Sequence, residues 1–334
     1  ATIAAPAQPA PADVARLAAM LRGAERPIIL AGHAIDTEGG REALLAFAEA
    51  WQTPVAVSFR RQDLFPNNHA LYAGDLGLRN PDAQRAAFAD ADLVVALGTR
   101  LTDITTQGWT WPAPGQRLAH ICAEPRFLGW HFPAELAVAA DARAVLAALG
   151  AERPAASAAR GAWAKKLRDL QTADSQVAAT THNDGVAFAR IAKLIGEIAA
   201  PDAMIALDAG TFGAPFYRKI AWVSPRRLLA PVAGSMGFGV PAGVAAALRH
   251  PNRQVIALVG DGGAFMTGGE FAVAVARGVP LKMILSDNGS YASIRIHQER
   301  AHPGRVSGTS LENPDFAAWC AAFRVPVKRI ETDA

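Results

Sequence analysis

Seven short apolar runs recur along the chain, most of them closed by Gly, Asp or Ser and spaced by segments with helical periodicity. They are Ile28–Gly32, Pro54–Val57, Leu93–Gly98, Leu118–Ile121, Ala203–Asp208, Gln254–Val259 and Leu281–Ser286. A continuous apolar run of four to six residues is buried on both faces, which is the condition of a strand inside a parallel sheet covered by helices. Strands alternating with helices predict α/β architecture. The 334 residues suit two domains rather than one, and 51% hydrophobic residues supply two cores.

The pattern divides the chain. Residues 1–12 are rich in Ala and Pro and read as a linker, lacking the basic start and apolar centre of a signal peptide. Residues 13–150 form a first βα series. A helix opens there with Asp13 as its N-cap, followed by helices over Glu42–Trp51, Ala83–Ala89 and Ala142–Leu149. Residues 151–184, poor in β-branched side chains, read as a second linker with a helix near Ala162–Leu170. Residues 185–334 form a second βα series with helices over Val186–Ile198, Gly239–Leu248 and Glu270–Arg277. The fold expected is two doubly wound parallel-sheet domains.

Composition removes several functions. The formal charge is only +3, and no basic run or interleaved aromatic stripe appears, so no nucleic-acid partner is expected. No segment is long and apolar enough to span a bilayer. The two cysteines, Cys122 and Cys320, form no CxxC pattern, which fits a reducing cytoplasm.

The second series carries the chemistry. The run Val255–Val259 leads into Gly260-Asp261-Gly262-Gly263, and Leu281–Ser286 leads into Asp287-Asn288-Gly289-Ser290. Ligands of open parallel sheets sit beyond the carboxyl ends of strands. If these two strands are neighbours, Asp261 and Asn288 project to one point. A carboxylate and an amide oxygen are hard donors of the kind Mg²⁺ combines with phosphate oxygens and water, and a backbone carbonyl, that of Ser290, would add a third. Alternatively, Gly260-Asp261-Gly262 is a plain strand-to-helix turn whose glycines let the backbone bend tightly. Gly234-Ser235-Met236-Gly237-Phe238-Gly239 is either a loop for close backbone approach with Met236 as an apolar wedge, or a flexible loop over a core Met. Asp208-Ala209-Gly210-Thr211 either cradles phosphate or turns the chain.

Together these segments resemble the diphosphate-binding half of thiamine-diphosphate enzymes, in the acetolactate synthase-like branch. That family's signature is Gly-Asp-Gly, some two dozen residues, then Asn-Asn. Here 24 residues, Gly263 to Ser286, are followed by Asp287-Asn288, with Asp in place of the first Asn. The resemblance implies thiamine diphosphate and Mg²⁺ as cofactors, with the ion held by Asp261, Asn288 and Ser290. It places Asp208, Gly210, Gly234, Ser235, Gly260, Gly262, Gly263, Tyr291, Ala292 and Ile294 around the cofactor and Met236 between its two rings. Ile294 alternatively packs in the core.

Domain one also resembles the family's middle domain, through Ala91–Arg100. FAD binding there is left open, because Gly98-Thr99-Arg100-Leu101-Thr102-Asp103 matches the family stretch only in part. The activity implied is a lyase or carboligase acting on a 2-oxo acid or aldehyde, in a homodimer or tetramer. Against that family, the N-terminal pyrimidine-binding domain with its glutamate is expected to be missing here, and the second domain to end early after Ile330. The chain is therefore expected to be a fragment or one part of an enzyme. In the acetolactate synthases a segment ending Val-Arg-Gln-Trp-Gln follows the metal site. Its counterpart here is Ile294-Arg295-Ile296-His297-Gln298. His297 is either a proton-transfer group facing substrate or a solvent-facing residue, and its presence admits a 2-oxo acid or oxalyl-CoA type decarboxylase. Two rival classes remain. One is an NAD- or FAD-reading oxidoreductase, against which Gly32-His33-Ala34 lacks GxGxxG. The other is a non-catalytic cofactor-binding subunit.

Overall fold

The computed structural model describes residues 5–150, 152, 157–178 and 185–332. The chain divides into two compact units, Ala1–Ser175 and Gln176–Ala334. In the first, chain order is α1 (Pro11–Gly23), β1 (Pro27–Ala31), α2 (Gly40–Trp51), β2 (Val55–Val57), β3 (Tyr72–Asp75), α3 (Asp82–Ala89), β4 (Leu93–Leu97), β5 (Arg117–Ile121), β6 (Leu136–Val138), α4 (Ala142–Leu149) and α5 (Ala158–Ser175). All six strands are parallel, in the order β3-β2-β1-β4-β5-β6. The direction of winding reverses between β1 and β4, the switch point of a doubly wound sheet. Strands β1, β2 and β4 are buried along their whole length.

The second unit contains α6 (Phe188–Ile198), β7 (Met204–Leu207), α7 (Ala214–Lys219), β8 (Arg227–Leu229), α8 (Gly239–Arg249), β9 (Val255–Gly260), α9 (Asp261–Thr267), α10 (Phe271–Arg277), β10 (Leu281–Ser286), α11 (Ala292–Ala301) and α12 (Phe316–Ala322). Its four strands are also parallel, in the order β10-β9-β7-β8. One core, around Ile205, Leu207, Phe216 and Trp222, covers one face. Val240, Val244, Val259 and Phe271 build another.

The seven apolar runs all become strands. Strands β3, β6 and β8 were not anticipated. Each lies at a sheet edge and spans only three or four residues, too few for a periodic signal.

Three local expectations change. Helix α1 begins two residues before Asp13, with Ala10 at the N-cap and no side-chain cap; Pro11 supplies the start, and Asp13 sits in the first turn. Pro is pre-set for that position, and an acid there faces the positive end of the helix. In the expected linker 151–184, positions 151, 153–156 and 179–184 lie outside the described residues, but α5 spans Ala158–Ser175 and buries Arg160, Trp163, Ala164 and Leu167 in the first unit. The Arg160 guanidinium donates to the carbonyls of Ala24 (2.9 Å) and Trp51 (2.7 Å) and to that of Leu21. It thereby serves the open carbonyl ends of α1 and α2. Finally, Gly262 and Gly263 are not a turn: Asp261 is already helical and both glycines lie in the first turn of α9. Of the expected first linker, residues 5–10 carry no helix or strand and 1–4 lie outside the described residues.

Candidate functional site

Three neighbouring strands, β7, β9 and β10, end at one edge of the second sheet, and each releases a polar residue there. Ser286 pairs with Gly260, and Leu207 pairs with Leu258. Asp208, Asp261 and the Asp287-Asn288 pair therefore emerge side by side.

Asp261 is buried, 3% exposed. Its Oδ2 accepts hydrogen bonds from the backbone N–H groups of Asn288 (3.2 Å) and Gly289 (2.8 Å) and from the Asn313 side-chain amide (2.8 Å). Its Oδ1 accepts the N–H of Gly262, at 2.8 Å. The two carboxylate oxygens thus differ: one is tied across to the β10 loop, the other meets a local donor. Asn288 is exposed, and its Oδ1 accepts the N–H of Ser290 at 3.0 Å. The Ser290 carbonyl accepts the N–H of Ala292 at 2.8 Å, and its hydroxyl donates to Thr309.

Asp208 is fully buried and faces the entrance of α8. Its oxygens accept from the N–H groups of Ala209 (2.7 Å), Gly237 (3.2 Å) and Phe238 (3.3 Å). Burial pushes its carboxyl above the usual carboxylate range, against the pull of those N–H groups. Asp208 holds the loop 234–239 in place through these bonds.

The glycines make room for neighbours. A Cβ at Gly262 would lie 2.4 Å from the Tyr291 ring and 3.2 Å from the Met236 methyl. One at Gly263 would lie 2.6 Å from Asp208 Oδ2, and ones at Gly210 and Gly260 would meet the Phe212 ring at 2.7 and 3.2 Å. Met236, Gly262 and Tyr291 therefore converge from three segments. Gly234 adopts φ +80° in open space, and Ser235 is exposed. Ala292 starts α11, a helix with no buried residue, on which Ile294 (47% exposed) and His297 face outward. The structure thus gathers Asp208, Met236, Asp261, Gly262, Gly263, Asn288, Ser290 and Tyr291. It sets Ile294 and His297 on an exposed helix beyond them.

Sequence reasoning missed Asn313, Phe212 and Thr309. Asn313 precedes Pro314 and Asp315, and Asp315 caps α12 through the N–H groups of Ala317 and Ala318. That helix-start signal was the available pointer to an ordered segment.

Among the described residues no three His, Cys, Asp or Glu side chains converge as a metal-binding group. One buried carboxylate with amide and carbonyl oxygens beside it fits an ion that draws further ligands from phosphate and water rather than a closed protein cage. The bare Gly262–Gly263 backbone lets the Tyr291 ring and the Asp208 carboxylate close in on the start of α9. In the first unit, the switch point is narrow: a Cβ at Gly32 would lie 2.4 Å from the Gly98 carbonyl oxygen.

Residues 14–149 match the family model "Thiamine pyrophosphate enzyme, central domain". Residues 208–334 match "Thiamine pyrophosphate enzyme, C-terminal TPP binding domain". The acetolactate synthase large subunit of Lactococcus lactis is 29% identical over 92% of this chain and 53% of its own length. That of Parasynechococcus marenigrum is 28% identical over 96% of this chain and 52% of its own. The isozyme 2 large subunit of Escherichia coli is 26% identical over 94% of this chain and 57% of its own. The chain thus spans about half the length of the curated relatives it matches. With both family domains matched in order, the chain belongs to the thiamine pyrophosphate enzymes, in their acetolactate synthase-like group.

Proposed function

We propose that the second unit anchors thiamine diphosphate through Mg²⁺, and that the protein serves a carboligase acting on a 2-oxo acid. The carrying observation is the posture of Asp261. It is buried at the tip of β9, and its Oδ2 is held by three donors from beyond β10 while Oδ1 meets the N–H of its own neighbour Gly262. Asp261 Oδ1, Asn288 Oδ1 and the Ser290 carbonyl would hold the ion, each exchanging a local N–H contact for it. Gly262 and Gly263, which let Tyr291 and Asp208 pack against α9, would lie beside the diphosphate, and Met236, Tyr291 and Ile294 would border the rings.

Thiamine diphosphate, when bound, would serve as the electron sink for a carbanion next to a carbonyl. Met236 would fix the bend of the cofactor, and Asp208 would keep the Met236 loop rigid through its N–H contacts. Ile294 and His297, three apart on one exposed face of α11, would face the substrate. An exposed His297 on that face would also suit a decarboxylase, to which it would supply a proton.

The exposed Phe265 and Met266 on α9 (48% and 53%) support a homodimer or tetramer. No described helix is long and apolar enough to cross a membrane, and both cysteines are buried free thiols; a cytoplasmic enzyme is proposed on that basis. FAD, if present, belongs at the crevice between the tips of β1 and β4, and flavin absorbance of the isolated protein tests for it.

Calorimetry with thiamine diphosphate and Mg²⁺ tests the main reading. Wild type should bind, and Asp261→Ala should lose more than about tenfold in affinity. Equal binding by both proteins, or binding of NAD in place of thiamine diphosphate, would refute it.

A further inference from the structure

The segment joining α11 to α12 folds back onto the site. The N–H of Tyr291 donates to the Thr309 carbonyl, and the N–H of Leu311 donates to the Gly289 carbonyl, both at 2.8 Å. Ser290 and Ser310 form an antiparallel bridge between these bonds. Two residues further on, the Asn313 side-chain NH₂ meets two carboxylates at once, Asp261 Oδ2 at 2.8 Å and Asp287 Oδ1 at 2.6 Å. Each of its two protons serves one acid. The orientation of the amide follows from chemistry, because the reverse placement would set its oxygen against two carboxylates. In this orientation Asn313 Oδ1 is buried without a hydrogen-bond partner. Leaving a buried acceptor unmade is costly, so a shape that keeps it needs a compensating gain.

We infer that Asn313 is a positioning residue for the metal site: its amide bridges Asp261 and Asp287, keeps the two acids from repelling each other, and holds Asp261 with Oδ1 toward the ion. The inference rests on the reading of Asp261 as a magnesium ligand. Three features support it. Among the described residues the bridge is the one side-chain hydrogen bond made to Asp261. It comes from a segment 52 residues away in sequence, so it fixes the acid from outside its own strand pair. Asp287 stands where the family signature has Asn, so a second negative charge lies one residue before Asn288 and requires a donor.

The test measures Mn²⁺ affinity, as a spectroscopic stand-in for Mg²⁺, by the electron paramagnetic resonance of free Mn²⁺ in the presence of thiamine diphosphate. The intact protein is compared with Asn313→Ala, Asn313→Ser, Asp287→Asn, Asn313→Ala combined with Asp287→Asn, and Asp261→Ala. Both Asn313 variants should weaken Mn²⁺ binding about tenfold, the usual scale for a group that orients a metal ligand. The combined variant should regain most of that loss, because an amide at 287 removes the repulsion and can itself donate to Asp261. A residue that merely supports the fold behaves differently: its loss lowers the melting temperature, leaves Mn²⁺ affinity unchanged and is not relieved at 287. Unchanged affinity in the Asn313 variants, or simple additivity in the combined one, overturns the inference. If Asp261→Ala also leaves Mn²⁺ affinity unchanged, the metal-site reading itself fails. If that variant abolishes binding while the Asn313 variants do not, the bridging role alone fails.

Discussion

Replacing Gly263 by Ala adds one methyl group inside the first turn of α9, and the surroundings settle its effect. The new Cβ would sit 2.6 Å from Asp208 Oδ2 and 3.1 Å from its Cγ. Real contacts of that kind are nearer 3.5 Å, so something must move by most of an ångström. Asp208 cannot swing aside cheaply, since it is fully buried and the backbone N–H groups of Ala209, Gly237, Phe238 and Gly239 hold it. Overpacking of this sort costs about 1–3 kcal/mol. Ala in place of Gly within a helix returns about 0.5–1 kcal/mol. The net loss is about 1–2 kcal/mol, a fall of roughly 5 °C in melting temperature for a unit of this size. Gly161 provides the internal control: it lies on α5, is exposed, and has nothing within 4 Å of the added methyl. There the same substitution should stabilise by about 0.5–1 kcal/mol, because only the helix preference remains. Urea unfolding of the two variants therefore gives opposite signs. If Gly263→Ala is as stable as wild type, or if both shifts share a sign, the tight fit of Asp208 against α9 is wrong.

His120, on β5, is buried and bonded through Nε2 to the Thr99 carbonyl at 2.8 Å; burial pushes its pKa down, only partly offset by that bond. A depressed histidine contributes stability above its unfolded pKa of about 6.5 and loses it as pH falls toward the folded value. Unfolding midpoints of wild type should thus drop below about pH 6.5 more steeply than those of His120→Gln; parallel curves would contradict this. Arg160→Met should destabilise the first unit by about 3 kcal/mol, since the carbonyls of Leu21, Ala24 and Trp51 lose their donor inside the fold. Arg160→Lys should restore only part of it, one ammonium being unable to span three carbonyls; a full rescue in thermal unfolding would show that charge alone suffices.

Much of the fold was legible because it is local. A run such as Leu93–Leu97 can be buried on both faces only within a covered parallel sheet, whatever surrounds it. Residue types at the ends of such runs are local too, which is why Asp261 and Asn288 stood out before any neighbour was known. What stayed illegible has no local periodicity. Strands of three residues at sheet edges leave no pattern, and a buried Arg160 on an Ala- and charge-rich helix looks like a linker until the carbonyls it serves are in place. Gly262 and Gly263 looked like a bend, yet they are helical, and their need for a bare backbone arises from Tyr291 and Asp208 in other segments.

The chain's own chemistry therefore determined that parallel sheets form and which polar groups end their strands. Tertiary structure decided that β9 lies between β7 and β10, which brings Asp208, Asp261 and Asn288 to one edge, and that Asn313 returns from 52 residues away to join two acids. Strand adjacency and register come from contacts between segments far apart along the chain, and burial pattern within any one segment is the same for every order in which the strands might be laid.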